Sequence, residues 1–142
     1  MKYEVTKDLE TGNTLIDSEH RQLFDAVNTL MDACSAGKGR MTIKSTAQFL
    51  GDYVIKHFRD EENLQKNSHY PGYAYHRQFH GGYTQTLNNI CKEIETDGPT
   101  ISALSKMNQH IGVLVSHIRS EDKKLADTLL ICSPRLYMPG RN

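Results

Sequence analysis

Apolar residues recur at spacings of three and four along almost the whole chain. The pattern falls into four stretches, divided by Gly37-Lys38-Gly39, Tyr70-Pro71-Gly72 and Asp97-Gly98-Pro99. From about 18 to 36 the stripe runs His20, Leu23, Phe24, Val27, Leu30, Met31, Cys34. From about 42 to 66 it runs Ile43, Ala47, Leu50, Val54, His57, Glu61, Leu64. From about 72 to 96 it reads Tyr73, His76, His80, Tyr83, Leu87, Ile90, Cys91, Ile94, and from about 100 to 131 Ile101, Leu104, Ile111, Leu114, His117, Ile118, Leu125, Leu129. This is the period of an amphipathic helix, and no segment alternates convincingly with the period of a strand. Four helices with short connections predict an all-α, antiparallel up-down-up-down four-helix bundle, a single domain over 1–142 with its bundle at about 18–131. Pro71 and Pro99 fall where a helix can start, a position that tolerates a missing N–H. Residues 1–17 and 132–142 lack the pattern and are expected to be irregular arms.

The stripes carry polar residues on the faces that should be buried. His57 and Glu61 are four apart, as are His76 and His80, which puts each pair about 40° apart on one helix face. His20 continues the first stripe and His117 the fourth. In an antiparallel bundle all six fall at one end-to-middle layer, so they can converge. A single histidine on such a stripe is ordinarily a core residue satisfied by a neighbouring hydroxyl or carbonyl. Five histidines and an acid in one layer would each need a partner, at about 1–3 kcal/mol per unsatisfied group; shared metal ligation removes that penalty. His69 sits in the loop before Pro71, and His110 is placed off the seam of Leu114 and His117, so both are expected at the surface.

Composition narrows the classes. The 142 residues hold 17 Lys+Arg against 17 Asp+Glu, a balance that argues against a nucleic-acid partner. Only 37% of residues are apolar, a lean core that metal bonds would reinforce. Cys34, Cys91 and Cys132 are widely spaced with no C-x-x-C, so neither a disulfide framework nor a zinc ribbon is indicated. Cys34 and Cys91 at stripe positions, and Cys132 at the end of the fourth helix, are expected to pack. The opening MKYEVTKDLETG has no signal-type apolar run and no stretch is long enough to span a membrane, which makes a reduced cytoplasmic setting the expectation.

The order His20, His57-Phe58-Arg59-Asp60-Glu61, His76-Arg77-Gln78-Phe79-His80 and His117-Ile118-Arg119-Ser120-Glu121-Asp122 resembles the hemerythrin signature of His, H-x-x-x-E, H-x-x-x-H and H-x-x-x-x-D. The likeness extends to Ile16-Asp17-Ser18-Glu19-His20 with Leu23-Phe24 and to the Tyr70-Pro71 turn, covering roughly residues 12–130 in the manner of a single-domain bacteriohemerythrin. It implies a centre of two non-haem, oxo- or hydroxo-bridged irons. His76, His80 and His117 would hold one iron, His20 and His57 the other, and Glu61 and Asp122 would bridge them. One open position on the second iron would take O2, inside a dry pocket for which Phe58, Leu114 and Ile118 are the candidates.

Asp122 is five residues beyond His117, about 140° round an ideal helix, so either the helix widens into a π-type turn or the two side chains reach different parts of the centre. Glu121, at i+4, is the fallback. Glu62 is expected to be exposed. Val113 stands where the family often has Trp, and Gln65 where it often has Met, and both departures predict a looser pocket and faster autoxidation.

The implied function is O2 storage, transport or scavenging, without enzymatic turnover. The alternatives are a di-iron oxidase, peroxidase or nitric-oxide-handling enzyme, and an O2 or redox sensor acting on a separate protein partner, for which Ser133–Asn142 is the spare segment. Five imidazoles with two carboxylates, and no Glu-x-x-His anywhere, favour binding over oxidative turnover.

Overall fold

The computed structural model is described for residues 2–132, with side chains to Leu130. A 3-10 turn at Lys7–Leu9 precedes α1 (Thr14–Ser35), α2 (Arg40–Asn67), α3 (Tyr73–Asp97) and α4 (Ile101–His117). A π-helical turn at Ile118–Asp122 then leads without a break into α5 (Lys123–Cys132), so α4, the π-turn and α5 form the fourth long helix. Consecutive helices pack as neighbours, α1 on α2, α2 on α3 and α3 on α4, and no strand occurs among the described residues. This is the up-down-up-down bundle expected from the stripes.

The helix ends have local causes. Asn13 caps α1, its side chain accepting from the Ile16 N–H at 3.0 Å, and Thr100 caps α4, accepting from Ala103 at 3.1 Å. Pro71 and Pro99 stand two residues ahead of α3 and α4, within the preceding turns rather than at the first helical position. At the end of α2, Tyr70 N–H reaches the Gln65 carbonyl at 2.9 Å and His69 N–H the Lys66 carbonyl at 3.2 Å. That double bond pattern needs a left-handed residue between helix and exit, and His69 supplies it at φ 54°. It lies exposed in the turn, as expected.

The N-terminal arm departs from expectation. Helix α1 begins at Thr14, inside the segment expected to be irregular, and the arm is packed: Leu9 and Thr11 are buried. The Asp17 carboxylate accepts from Thr11 N–H at 2.8 Å, Thr11 Oγ1 at 2.7 Å and Gly12 N–H at 3.1 Å, folding the arm back onto the helix start. Such side-chain closure of a loop leaves no periodic trace in a hydropathy pattern. Of the C-terminal arm, residues 133–142 lie outside the described residues, as does the side chain of Cys132.

The apolar interior comes in two parts. The larger joins Leu23, Phe24, Leu30, Leu50, Leu87, Ile94, Met107 and Leu114 with their neighbours from all four long helices, Cys34 and Cys91 among them. The smaller holds Ile16, Tyr70, Leu125 and Leu129, with Leu64 against it. Between the two lies a layer of buried polar side chains.

Candidate metal centre

His20, His57, Glu61, His76, His80, His117 and Asp122 all lie in that layer, and each is at most 5% exposed. Helix α1 supplies His20, α2 His57 and Glu61, α3 His76 and His80, α4 His117, and the π-turn Asp122. The extra residue in the π-turn brings Asp122 onto the inward face, with Oδ1 3.1 Å from His117 Nε2. Of the two routes open to a carboxylate at i+5, the chain takes the widened turn. Glu121, the fallback, is not among the converging groups and stands half-buried outside them.

The donors form two overlapping sets, Glu61 with His76, His80 and His117, and His20 and His57 with Glu61 and Asp122, the donor atoms of each within 4.8 Å of one another. Glu61 belongs to both, with Oε1 3.1 Å from His80 Nε2 and Oε2 3.4 Å from His57 Nε2. Asp122 also reaches across, Oδ2 lying 3.0 Å from His20 Nε2.

Ten buried side-chain nitrogen and oxygen atoms among the described residues lack a hydrogen-bond partner, and all ten belong to His20, His57, Glu61, Gln65, His76, His80, His117 and Asp122. They include the Nε2 of all five converging histidines and both oxygens of Glu61. These groups lie close together, yet the protein alone gives them no well-aligned hydrogen-bond partner. Left so, each costs about 1–3 kcal/mol. Imidazole and carboxylate donors in this arrangement can hold divalent metal, and seven of them exceed what a four-coordinate structural zinc would use.

The charges fit the same reading. Burial pushes the Asp122 carboxyl up, but the contacts with His117 and His20 overrule it and hold the group well below the usual carboxylate range. Burial also opposes ionisation of Glu61, and the repulsion of Asp122 adds to this; His57 and His80 nonetheless bring its pKa below normal. For His57, burial favours the neutral ring, yet the Glu61 charge and the bond to Glu19 win and raise it to about 10. His76 is pulled down, mainly by burial. Both carboxylates are therefore anionic near neutrality, as metal bridging needs.

Outside the seven, three side chains meet Nδ1 of His57, His80 and His76. His57 Nδ1–H donates to Glu19 Oε1 at 2.9 Å, and Lys56 Nζ donates to the other oxygen of Glu19 at 2.9 Å. His80 Nδ1–H donates to Glu62 Oε2 at 3.0 Å, and the Gln65 amide meets His76 Nδ1 at 2.8 Å. Glu62 is thus half-buried and bonded, not exposed as expected: a groove of about 400 Å³ between α2 and α3, reaching Phe58 and His80, brings its carboxylate to both solvent and the His80 ring. Glu19 was not singled out by the sequence pattern, and Gln65 only as a departure from the family, although the pattern held the signal for both. Glu19 stands three residues after Ile16 on the α1 stripe, and His57, Glu61 and Gln65 climb one face of α2 in steps of four.

Of the pocket candidates, Leu114, Ile118 and Phe58 are all buried in the large apolar cluster. Phe58 stacks on the His80 ring, centroids 3.9 Å apart and planes 3° off parallel. Phe79, not among the candidates, does the same for His117 at 3.9 Å and 5°. Val113 is 48% exposed on the outer face of α4, so it does not border the pocket in this chain.

His110 corrects an expectation of surface placement: it is 9% exposed. It precedes Leu114 by four and His117 by seven, so it shares their face. Its Nε2 bonds the Tyr83 carbonyl at 2.9 Å, Tyr83 Oη donates to the His110 carbonyl at 3.1 Å, and the rings stack at 3.7 Å. The pair pins α3 to α4 away from the seven converging groups. Burial lowers the His110 pKa. The unfolded chain, near the ordinary 6.5 or so, therefore takes up a proton first as pH falls. The His110 contribution is complete above that value and is lost as pH drops from there toward the folded-state pKa. In metal-free protein, His110→Gln should shrink the fall in melting temperature between pH 7.5 and 5.5; an unchanged fall would contradict this assignment.

Residues 11–129 match the family model described as the hemerythrin HHE cation binding domain. The chain is 26% identical over 122 residues to the bacteriohemerythrin of Pseudomonas aeruginosa, covering 86% of this chain and 78% of that one. To the myohemerythrin of Sipunculus nudus it is 32% identical over 111 residues, covering 78% and 79%. A crystal structure of wild-type hemerythrin superposes with a TM-score of 0.76 at 26% identity, covering 91% of this chain and 97% of that one. Among the described residues no helix is long and apolar enough to cross a membrane.

Proposed function

The chain belongs to the hemerythrin family, and on that premise we propose that it binds O2 reversibly at a non-haem di-iron centre within the bundle, for oxygen storage, transport or scavenging. The observation that carries the reading is the convergence of five buried histidines and two carboxylates, with most of their donor atoms unpaired, in one layer. We assign His76, His80 and His117 to one iron, His20 and His57 to the other, and Glu61 and Asp122 to both. When bound, the iron pair supplies the two electrons that O2 binding takes up and release returns. Five imidazoles and two carboxylates give a site with fewer anionic ligands than carboxylate-rich di-iron oxidases, which supports binding over turnover.

The protein's own part is to orient and to exclude. Glu19 and Glu62 accept from Nδ1 of His57 and His80, which turns Nε2 of each toward Glu61 and the shared layer. The stacked Phe58 and Phe79 hold the His80 and His117 ring planes. Phe58, Leu114 and Ile118 line the apolar side, where they keep out the water and protons that would convert reversible binding into loss of reduced oxygen. The His20–His57 side offers two imidazoles against three, and O2 binding is assigned there.

The test is optical. Iron-loaded, reduced protein should gain a visible charge-transfer band in air and lose it on degassing, over repeated cycles. An irreversible change with peroxide release, or steady substrate oxidation, would replace the carrier reading with an enzymatic one.

A further inference from the structure

The arm before α1 is laced across one side of the bundle. Among the described residues, α1 and α4 are the neighbouring long helices that approach least closely, and the arm spans the seam between them. Tyr3 N–H donates to Asn28 Oδ1 on α1 at 2.8 Å, and Asn28 Nδ2 donates back to the Tyr3 carbonyl at 2.7 Å. Tyr3 Oη donates to Asn108 Oδ1 on α4 at 2.7 Å. Leu9 belongs to the large apolar cluster, with Tyr3 and Val5 packed against it. Two exposed ion pairs complete the attachment. Arg21 of α1 donates to Glu10 Oε2 at 3.1 Å, and Arg119 of the π-turn donates to Asp8 Oδ2 through Nε at 3.2 Å and Nη2 at 2.9 Å. The Thr6 hydroxyl donates to the other Asp8 oxygen, and the 3-10 turn that carries Asp8 packs on the π-turn itself.

The two pairs are alike in chemistry and exposure but end on different kinds of helix. Arg21 stands in regular α-helix, which keeps its register through its own hydrogen bonds. Arg119 stands in the π-turn, a rare geometry that a helix adopts only locally. An unwidened helix would turn Glu121 inward, four residues from His117, and carry Asp122 off the shared layer. The segment therefore has two registers open to it, and contacts from outside bias the choice. Asp8 grips the turn on its solvent side, while Asp122 points inward from the same turn and is 1% exposed. We propose that Asp8 is a positioning residue for Asp122, holding the π-turn through Arg119 in the register that brings the carboxylate to both donor sets. The inference rests on the di-iron reading above and concerns how one of its bridging ligands is held.

The experiment uses the full chain, metal-free and loaded with Zn2+. Competition with a chelator gives Zn2+ affinity, and amide hydrogen exchange of the metal-free protein reports on residues 118–123. Asp8→Asn should weaken Zn2+ binding by about 2–5-fold, the range an exposed ion pair supports, and speed exchange in the π-turn. Salt at about 1 M, which shortens the screening length to about 3 Å, should weaken binding by the wild type more than by Asp8→Asn. Asp8→Arg sets two cations together and should weaken binding further, and adding Arg119→Asp to it should restore much of the loss. Glu10→Gln removes the same kind of pair from the same arm, and should leave both affinity and exchange as in the wild type. The proposal is overturned if Asp8→Asn keeps wild-type affinity or wild-type exchange in the π-turn. It is overturned equally if Glu10→Gln weakens binding as much, because the arm would then act only as a fastening of the fold. A wild-type protein that takes up no Zn2+ would bring down the metal-centre reading itself, and the grip of Asp8 on the π-turn would be decided by the exchange rates alone.

Discussion

Asp122→Ala should abolish the O2-dependent visible band and leave the protein with less than its full complement of iron after gel filtration. The expected loss of metal affinity exceeds the roughly 10–100-fold that follows removal of a partner outside the ligand set, because Asp122 touches both donor sets, at 3.0 Å from His20 and 3.1 Å from His117. Glu121→Ala is the matched control. Its side chain lies one residue away but outside the layer, so iron content and spectrum should be those of the wild type. Wild-type iron content in Asp122→Ala, or equal damage from Glu121→Ala, would show that the π-turn does not deliver the carboxylate assigned here.

Stripping the metal should lower the melting temperature on the order of 12 °C. Free metal at a thousand times its dissociation constant stabilises the folded state by about 4 kcal/mol, and each kcal/mol moves the melting point of a domain this size by roughly 3 °C. The direction follows from the unpaired buried atoms of the layer, most of which belong to the seven assigned ligands and would be satisfied by metal bonds. Melting curves of chelator-treated and reloaded protein, recorded at one pH, decide the matter. Equal midpoints would mean that the helices are held by their apolar clusters alone.

The helices and the converging residues were legible because both depend on short-range periodicity. His57 to Glu61 and His76 to His80 are steps of four, and a helix turns any such step into a shared face. Asp122 was legible only through the family resemblance, since spacing alone favoured Glu121; one inserted residue in the helix reverses that preference. His110 was illegible because a histidine is polar enough for the surface, and the partner that buries it, Tyr83, lies 27 residues away on another helix. Glu62 was misread for a related reason. An acid beside another acid on a helix looks solvent-facing, and nothing local announces that the His80 ring of the next helix will meet it. The arm before α1 was illegible because Asp17, Thr11 and Gly12 close it by single hydrogen bonds that carry no period.

The division of the interior has a consequence for cooperativity. The small cluster of Ile16, Tyr70, Leu125 and Leu129 is cut off from the main one by a sheet of polar atoms that do not attract apolar neighbours. Packing alone therefore transmits little from the end that carries the α2–α3 turn to the rest of the bundle. Bonds radiating from a central ion to all four long helices would act as the keystone, joining two small hydrophobic droplets into one melting unit. Without it, the turn end, held by the smaller cluster, is the end expected to open first as the protein melts.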